Sequence, residues 1–479
     1  MNTLKFDTRV QELKYHVLVE VVKAATNDSL ATDLLKIPAI ICPGPKPTMR
    51  CCIYKERAIV NERIKIIMGS DKTNPNVIQV ISIACDECPV SGYEVTSSCR
   101  GCIAHRCEAA CVRKAISFDS QLHAHIDPSK CVNCGMCAKA CSYSAIRNHV
   151  RPCEAACKMK AITPNPETFE AVIDNSKCTS CGACVYQCPF GAIEDQSYIV
   201  NVIDHIKKSQ NNTLYKTYAI VAPSISSQFS YVSLGKVVSG IKALGFHSVI
   251  EVALGADMVA HDEAQELVEK GLLTSSCCPA FVDYIHKFFP TLADKISSNP
   301  SPMVALARYI KKNDPTAKIV FIGPCTAKKM EMKREDVVGC VDDVLTFEEL
   351  QALFDGMNVD LPSQEENVLD NASYYGRIFA RVGGLTDAVA ESVREQGLDK
   401  DGFVLNPIVG DGIEACKLLL QKMRSGLLPN NFLEGMACLG GCIGGPCALT
   451  HAVKDKSQVD KYGMEAKEKT IEDAIRLMK

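Results

Sequence analysis

The sequence predicts a multidomain protein that combines α+β and α/β architecture, with a cysteine-rich region ahead of a larger α/β domain. Sixteen of the 27 cysteines fall within residues 81–200. From about residue 215, short apolar runs rich in β-formers alternate with helical patterns such as FEELQALFDGM (347–357). Two of these runs, TYAIVAP (217–223) and AKIVFIGP (317–324), lead into loops that bear Ser or Cys. Loops at the carboxyl ends of strands usually carry the chemistry of α/β folds.

Residues 1–80 are predicted to form a small N-terminal cap domain of unknown role. An apolar-periodic stretch, YHVLVEVVKAA, precedes a proline-rich break at CPGPKP (42–47). Cys42, Cys51 and Cys52 lack ligand-like spacing. The polar segment 195–213 is predicted to join the cysteine-rich region, 81–200, to the domain at 215–479.

Charge and hydropathy narrow the choice of partners and compartment. The formal net charge of −3 over 479 residues predicts neither nucleic acid nor an anionic membrane as partner. The N-terminus has no secretory h-region, and no uncharged apolar run approaches the ~18–20 residues of a membrane helix. We therefore expect a cytoplasmic protein, whose clustered cysteines ligate metal rather than form disulfides.

The cysteine-rich region repeats one unit four times. Four cysteines are followed at +4 and +5 by Ala-Ile: Cys111, Cys141, Cys157 and Cys188. Two modules, CVNCGMCAKAC (131–141) and CTSCGACVYQC (178–188), have the C-x2-C-x2-C-x3-C spacing of bacterial ferredoxins. A third, CRGCIAHRCEAAC (99–111), lengthens the middle spacing by two residues. The region is therefore predicted to be ferredoxin-like and to hold several [4Fe–4S] clusters for electron transfer.

In such modules the fourth cysteine serves the neighbouring cluster, and this rule predicts the ligand sets. The first cluster would take Cys99, Cys102, Cys107 and Cys141. The second would take Cys131, Cys134, Cys137 and Cys111. The third would take Cys178, Cys181, Cys184 and Cys157. A fourth would need the upstream pair and would take Cys85, Cys88, Cys153 and Cys188, so three to four clusters are expected. The alternative is zinc, which C-x2-C pairs also bind, although the repeated ferredoxin spacing favours iron–sulfur clusters.

Three loop-like motifs hold most of the eight cysteines beyond residue 215. They are SSCCPAF (275–281), GPCTAKKME (323–331) and EGMACLGGCIGGPC (434–447). Together they resemble the three signature motifs of [FeFe]-hydrogenases, and the resemblance covers roughly residues 80–479. The variants SSCCPAF and GPCTAKK look most like the monomeric, ferredoxin-bearing, clostridial-type group B branch.

The resemblance implies an α/β hydrogenase domain with an H-cluster, which is a [4Fe–4S] cubane joined by a cysteine sulfur to a diiron unit with CO, cyanide and azadithiolate. By match to the motifs, the cubane ligands would be Cys278, Cys325, Cys438 and Cys442, and Cys442 would bridge to the diiron unit. Lys328 matches a lysine that bonds a cyanide. The other pocket positions implied by the resemblance are Ala222, Pro223, Ser224, Phe379 and Met436.

The adjacent cysteines of SSCCPAF are given different roles by the resemblance. Cys278 would be a ligand, whereas Cys277 resembles the thiol that delivers protons to the diiron unit. A thiol with a reference pKa of about 8.5 can relay a proton while remaining mostly protonated at neutral pH. Glu263 and Glu266, spaced i,i+3 on a predicted helix over 255–270, match the relay acids, with Ser297 between them. The alternatives are a strained vicinal disulfide, an inert thiol and ordinary exposed glutamates.

Five residues depart from the family's best-known pattern: Lys270, Ala280, Phe281, Met303 and Gly323. They leave catalytic bias, turnover rate and oxygen sensitivity open.

The resemblance implies a hydrogenase that catalyses H2 ⇌ 2H⁺ + 2e⁻, receives its diiron site from maturation proteins, and exchanges electrons with a ferredoxin-like carrier. A non-catalytic iron–sulfur assembly factor is one alternative, against which Cys277, Lys328 and the long cluster array argue. A hydrogen sensor is a second, and its usual C-terminal sensory domain is not expected here. A polyferredoxin is a third, and it would not need residues 215–479.

Overall fold

The N-terminal region is helical in the computed structural model, which describes residues 6–69, 74–399, 402–476 and 478. Its helices are α1 (Arg9–Thr26), α2 (Leu30–Asp33), α3 (Ile37–Ile41) and α4 (Ile53–Ile67). Thr8 caps α1, because its hydroxyl accepts from the Gln11 N–H while the Gln11 side chain accepts from the Thr8 N–H. One face of α1, which includes Val17, Leu18 and Val21, is fully buried.

These helices share a core with the α/β domain. Val17, Leu18 and Val21 belong to the same buried cluster as Ile220 and Phe354. Helix α1 packs along the later helix that spans residues 347–356. Helices α1, α3 and α4 of the segment predicted as a cap domain over residues 1–80 thus pack into the core of the α/β domain, because their apolar faces are buried in the same cluster.

The cysteine-rich region is built from short strands and helices. They are β1 (Ile78–Val80), β2 (Gly92–Val95), α5 (Arg106–Ala109), β3 (Ile116–Phe118), β4 (Ala124–Ile126), α6 (Met136–Ala140), β5 (Ile146–His149), α7 (Pro152–Ala156), β6 (Ile162–Pro164), β7 (Ala171–Ile173), α8 (Ala183–Gln187) and β8 (Ile193–Asp195). Four antiparallel two-stranded sheets form, pairing β1 with β8, β2 with β5, β3 with β4, and β6 with β7. Two ferredoxin-like units result, each with two such sheets.

One unit is inserted into the other. The inserted unit comprises residues 92–149, from β2 to β5, and the outer unit comprises residues 78–88 together with 152–195. The outer unit is closed by the pairing of β1 with β8, in which Val80 lies opposite Ile193. Strand β1 therefore belongs to the ferredoxin-like region, although the sequence placed residues 78–80 in the N-terminal domain.

The α/β domain follows, with its elements in the order α9 (Ile199–Lys208), β9 (Thr217–Val221), α10 (Leu234–Ala243), β10 (Ser248–Glu251), α11 (Val252–Lys270), β11 (Leu273–Thr274), α12 (Pro279–Phe288), α13 (Pro302–Asn313), β12 (Lys318–Ile322), α14 (Thr326–Glu331), β13 (Asp343–Leu345), α15 (Phe347–Gly356), α16 (Tyr374–Ile378), α17 (Gly384–Glu395), β14 (Pro407–Asp411), α18 (Gly412–Arg424), β15 (Phe432–Met436), α19 (Asp455–Met464) and α20 (Ile471–Ile475). One parallel sheet has the order β10-β9-β12-β13, and a second has the order β11-β15-β14. The apolar runs TYAIVAP and AKIVFIGP form β9 and β12, side by side at the centre of the first sheet.

The segment 195–213, predicted as a polar join, contains helix α9. Ile199, Val202 and Ile203 on one face of α9 are buried in the shared core, and its polar residues face outward. Within the described ranges, no helix has the length and apolarity needed to cross a lipid bilayer.

Candidate active site and cluster ligands

The carboxyl ends of four parallel strands converge and bring the three cysteine motifs together. Strand β9 leads into Ala222, β11 into the pair Cys277–Cys278, β12 into Cys325, and β15 ends at Met436. Parallel strands present their carboxyl ends at one edge of a sheet, where α/β folds place their sites. Cys278 also precedes Pro279 at the N-terminus of α12, where the helix dipole favours a thiolate.

A cavity of about 90 Å³ lies where these strand ends meet. Four cysteines line it: Cys277, Cys278, Cys325 and Cys442. Five further predicted pocket residues line it as well: Ala222, Pro223, Lys328, Phe379 and Met436. Ser224 lies outside this lining, and its buried hydroxyl has no hydrogen-bond partner among the described residues. The remaining walls are mostly apolar, as at Val252, Ala256 and Phe321.

The four predicted cubane ligands lie close enough to affect one another's ionisation. Burial, together with the charges of Cys278 and Cys442, raises the pKa of Cys325 to about 12. Burial and then the charges of Cys325 and Cys278 also raise the pKa of Cys438. Thiols so placed ionise together only beside a cationic centre. This donor set fits an iron–sulfur cubane.

The donor side chains of the described residues are not drawn together around one point. Among the residues that the structure describes, no three His, Cys, Asp or Glu side chains are grouped closely enough to hold one metal ion. No disulfide joins the described cysteines, so Cys277 and Cys278 are both free thiols.

The loop between Cys438 and Cys442 requires glycine. Gly441 has φ of +89°, and a Cβ there would lie 2.7 Å from the backbone nitrogen of Val382. The close approach is fixed by the Val382 N–H, which donates to the Gly440 carbonyl at 3.0 Å. The two glycines of CLGGC therefore let the chain turn between two candidate ligands.

The two lysines of TAKKME are buried in different places. Lys328 lines the cavity, and its Nζ donates to Glu331 Oε2 at 2.7 Å and to the Cys277 carbonyl at 3.4 Å. Lys329 is fully buried on the other side, where its Nζ donates to Asp195 Oδ2 at 2.7 Å and to Glu349. Asp195 in turn accepts from Lys14 of α1 at 2.6 Å. This buried network ties α1, the outer unit and the α/β domain together.

The predicted proton-relay residues lie between the cavity and solvent, and hydrogen bonds join the outer ones, Ser297, Glu266 and Lys270. Cys277 lines the cavity, and the fully buried Glu263 lies near enough for its charge to raise the pKa of Cys277. The Ser297 hydroxyl donates to Glu266 Oε2 at 2.7 Å. Glu266 Oε1 pairs with Lys270, whose side chain is 42% exposed, at 2.6 Å. Glu263 and Glu266 share one face of α11, as their spacing predicts.

The two glutamates have opposite pKa shifts. Burial raises the pKa of Glu263 to about 8, and the nearby Ser297 hydroxyl offsets only part of that effect. Burial opposes ionisation of Glu266 too, but hydrogen bonds from Lys270, Ser298 N–H and Ser297 lower its pKa below the ordinary value. Glu263 can thus hold a proton at neutral pH, whereas Glu266 is an anion that accepts one.

The Ala-Ile pair that follows each fourth cysteine of the ferredoxin-like units contacts that cysteine and the core. In each copy the backbone N–H of the alanine at +4 donates to the cysteine Sγ, at 3.2–3.4 Å: Ala115 to Cys111, Ala145 to Cys141, Ala161 to Cys157, and Ala192 to Cys188. Such N–H···S bonds tune the potential of a cluster. The isoleucine that follows is buried in every copy.

The outer unit touches the α/β domain beside Cys438. Cys181 and Cys438 line the same groove, of about 850 Å³. The Thr326 hydroxyl, one residue after Cys325, donates to the Ser180 carbonyl at 2.7 Å. Gly182 has φ of +75°, and a Cβ there would lie 2.5 Å from both Thr326 Oγ1 and Pro446 Cγ. The third predicted cluster thus lies next to the candidate H-cluster ligands.

Replacing Gly182 with alanine should slow electron transfer between the outer unit and the α/β domain, because the added methyl forces the two apart. Gly135→Ala is the matched control, since Gly135 also has φ of +75° but a Cβ there meets the Tyr93 side chain within the inserted unit. We expect both variants to lose about 1–2 kcal/mol of stability from backbone strain. In stopped-flow measurements, electron transfer between the outer unit and the α/β domain should be slower in Gly182→Ala and near the wild-type rate in Gly135→Ala. Equal rates in the two variants would contradict the role assigned to the contact at Gly182.

Comparison with known proteins identifies the relatives of this architecture. The family described as iron only hydrogenase large subunit, C-terminal domain, matches residues 215–446, and the 4Fe-4S binding domain matches residues 124–147 and 171–194. Iron hydrogenase 1 of Clostridium pasteurianum is 28% identical over 393 residues, which are 70% of this chain and 66% of that protein. The chain thus spans just under two thirds of this relative's length. It belongs to the [FeFe]-hydrogenase-like family.

The chain is also similar to a protein whose name describes a different function. The cytosolic Fe-S cluster assembly factor of Eremothecium gossypii is 32% identical over 142 residues, which are 28% of this chain and 32% of that protein. A variant of [FeFe]-hydrogenase HydA1 from Chlamydomonas reinhardtii has a TM-score of 0.51 at 19% identity, and the match covers 59% of this chain and 93% of that chain. The latter likeness shows the fold alone. The chain thus combines ferredoxin-like modules with an [FeFe]-hydrogenase-type domain.

Two buried carboxylates near the cavity of this [FeFe]-hydrogenase-like chain escaped the sequence reasoning. Glu331 pairs with Lys328, and its position three residues later on one helix was the available signal. Glu434 is fully buried, accepting from Gly383 N–H at 2.7 Å and from Thr386 N–H at 2.8 Å at the start of α17. The sequence feature that could have pointed to Glu434 is its position two residues before Met436 in the third motif.

Proposed function

We propose that this protein is an [FeFe]-hydrogenase that catalyses reversible H2 oxidation and proton reduction at an H-cluster in the cytoplasm. The observation that supports it is the convergence of Cys277, Cys278, Cys325, Cys442 and Lys328 on one apolar cavity. A protein that binds cubanes alone has no chemical use for a free thiol and a proton-holding carboxyl beside such a cavity.

The chain's own residues would bind and orient the cofactor. Cys278, Cys325, Cys438 and Cys442 would hold the cubane, and Cys442 would also tether the diiron unit. When bound, the H-cluster supplies the centre at which H2 is cleaved or formed and electrons are exchanged. Lys328, oriented by Glu331, would donate a hydrogen bond to a cyanide. The apolar walls exclude water, which strengthens such polar contacts.

Protons would move along the chain's own side chains. Burial, with the charges of Cys278 and Glu263, raises the pKa of Cys277, so its Sγ keeps a proton at neutral pH and can exchange it with Glu263. Glu263 would pass the proton through the Ser297 hydroxyl to Glu266, whose partner Lys270 reaches solvent. Each transfer returns the donor to its earlier state once the next proton arrives.

Electrons would reach the site through the accessory [4Fe–4S] clusters from a ferredoxin-like carrier. The first three ligand sets lie in the two ferredoxin-like units, and the third is adjacent to Cys438. The diiron unit would be delivered by dedicated maturation proteins, because the protein offers it a single cysteine sulfur.

Infrared spectroscopy of the protein matured with a diiron unit tests this proposal. We expect CO and cyanide bands together with H/D exchange on exposure to D2. The match to a cytosolic assembly factor favours a second candidate, an iron–sulfur assembly role without H2 chemistry. That function predicts cubanes alone, with neither bands nor exchange, after the same treatment.

A further inference from the structure

We infer that Glu434 is a positioning residue, whose buried carboxylate holds the segment 379–386 in place and, through that segment, the loop from Cys438 to Cys442. The contacts belong to the chain itself, whereas their consequence for H2 chemistry rests on the proposed function. Glu434 lies on β15 and outside the lining of the cavity, so its effect on the site must pass through other residues.

Glu434 caps the start of α17 from a different part of the chain. Its Oε1 accepts from the Gly383 N–H at 2.7 Å, and its Oε2 accepts from the Thr386 N–H at 2.8 Å and from the Thr386 hydroxyl at 2.7 Å. Gly383 is the N-cap residue, with φ of +82°, and has no side chain with which to cap the helix itself. A helix N-terminus presents unpaired N–H groups and favours an anion. Glu434 therefore supplies the cap that the local sequence lacks.

The position of Glu434 in the sheet makes this cap firm. Strand β15 is the central strand of the sheet β11-β15-β14, and Glu434 lies opposite Val409 of β14. The Glu434 side chain is fully buried. Burying a carboxylate is costly unless hydrogen-bond donors surround it, so the fold keeps the three donors from Gly383 and Thr386 at their places.

The capped segment pairs with the turn between two candidate ligands. The Val382 N–H donates to the Gly440 carbonyl at 3.0 Å, and the Ile443 N–H donates to the Ala380 carbonyl at 3.1 Å. These two bonds lie on either side of Cys442, the last residue of CLGGC. A displacement of the segment therefore displaces the turn that carries this cysteine.

Close packing leaves the segment little room to absorb such a displacement. A Cβ on Gly384, the first residue of α17, would overlap the Ile378 carbonyl. A Cβ on Gly441 would lie 2.9 Å from the backbone carbonyl carbon of Arg381. Backbone thus lies directly on backbone at both places, and closely packed interiors transmit strain. Phe379, in the same segment, lines the cavity, so a shift also moves one wall of the cavity.

Glutamine in place of Glu434 keeps the size of the side chain but not its two acceptors. An amide has one acceptor oxygen and an NH2 group that only donates. Either the Gly383 N–H or the Thr386 N–H would then face another donor, because the two contact different carboxylate oxygens. We expect the start of α17 to loosen, and with it the pairing of Val382 with Gly440.

Hydrogen exchange of the protein without a diiron unit tests the positioning role. In Glu434→Gln, peptides covering 379–386 and 438–445 should exchange about tenfold faster than in the wild type, as the loss of a bond to a charged group allows. Thr386→Val removes only the hydroxyl bond and should accelerate the same peptides by a smaller factor. Exchange at the wild-type rate in Glu434→Gln would overturn the inference, and Thr386→Val decides in the same way if Glu434→Gln does not fold.

Glu395→Gln is the matched control. Glu395 contacts the start of α20 as Glu434 contacts the start of α17, because it accepts from the Ile471 N–H at 3.0 Å and from the Glu472 N–H at 2.9 Å. Exchange of the 438–445 peptide should stay at the wild-type rate in this variant. Equal acceleration of that peptide in Glu395→Gln would overturn the inference, since loosening any helix start would then release the turn.

Infrared spectroscopy of the matured protein tests the consequence for the candidate diiron site. If the turn sets the position of Cys442, the CO and cyanide bands of Glu434→Gln should broaden or split, whereas those of Glu395→Gln should match the wild type. Identical bands in all three proteins would overturn the effect on the diiron unit. Absence of bands from every protein, the wild type included, would instead count against the proposed hydrogenase and leave the exchange result unaffected.

Discussion

Replacing Cys277 with alanine should lower both H2 production and H2 oxidation by about two to four orders of magnitude, the usual contribution of a positioned proton donor. The thiol lines the cavity beside Cys278, and the buried acid Glu263 lies near enough for its charge to raise the pKa of that thiol. Without the thiol, protons have no side chain that spans from the cavity to that acid. Rates with a dye mediator, compared at equal diiron content, measure the effect.

Cys340→Ala is the control for removing a thiol from the α/β domain. Cys340 is a partly buried cysteine that packs against the main hydrophobic core rather than lining the cavity. It should retain near wild-type turnover and iron content. Full activity in Cys277→Ala would refute the relay assignment, and loss of iron there would show that Cys277 is a ligand.

Replacing Glu263 with glutamine should abolish most turnover and stabilise the fold increasingly as pH rises from 5 to 8. Glutamine keeps the shape but cannot transfer a proton, so we expect at least a hundredfold loss of activity. The gain in stability follows from the raised pKa of about 8 in the folded protein. A residue that is costly to bury and necessary for activity is typical of a functional site.

The direction of the pH dependence follows from linkage. The folded protein keeps the Glu263 proton up to about pH 8, whereas the unfolded chain releases it near pH 4.3. Unfolding between these values therefore releases a proton, and this residue lowers the free energy of unfolding by about 1.4 kcal/mol for each pH unit gained. The penalty is absent below about pH 4 and reaches a few kcal/mol by pH 8.

Melting temperatures of the wild type and Glu263→Gln should accordingly diverge as pH rises from 5 to 8, with the variant higher. Glu269→Gln is the matched control, because Glu269 is exposed on the same helix. Its melting temperature should follow that of the wild type at every pH. Parallel curves for all three proteins would show that Glu263 is ionised in the fold.

The sequence was most informative where chain spacing dictates geometry. Cysteines three residues apart on one loop are forced to face a common centre, so the modules at 131–141 and 178–188 predicted ferredoxin-like units directly. The apolar runs that became β9 and β12 placed the loop at Ala222 and the cysteine motif GPCTAKKME at strand ends, and the structure brings these ends together. The roles of the individual site residues remain proposals.

What the sequence could not reveal depends on contacts between distant segments. The nesting of the two units depends on the pairing of β1 with β8 and on Arg151, which by sequence is an ordinary charged residue. Glu331, Lys329 and Glu434 stand out as unusual charged residues only because they are buried, and burial is a property of the folded chain. The predictions of a cap domain at 1–80 and of a polar join at 195–213 did not include their packing into the core of the α/β domain. The reason is the same, because periodicity in the sequence reveals an apolar face but not the surface against which that face packs.

The core shared by α1 and α15 has a consequence for synthesis on the ribosome. Helix α1 ends at Thr26 and its partner begins at Phe347. At translation rates of roughly 5–20 residues per second, the apolar face of α1 waits on the order of tens of seconds before that partner exists. Nascent chains of this protein therefore lack the α15 side of the packing around Val17, Leu18 and Val21 throughout that interval, which makes them candidates for chaperone capture.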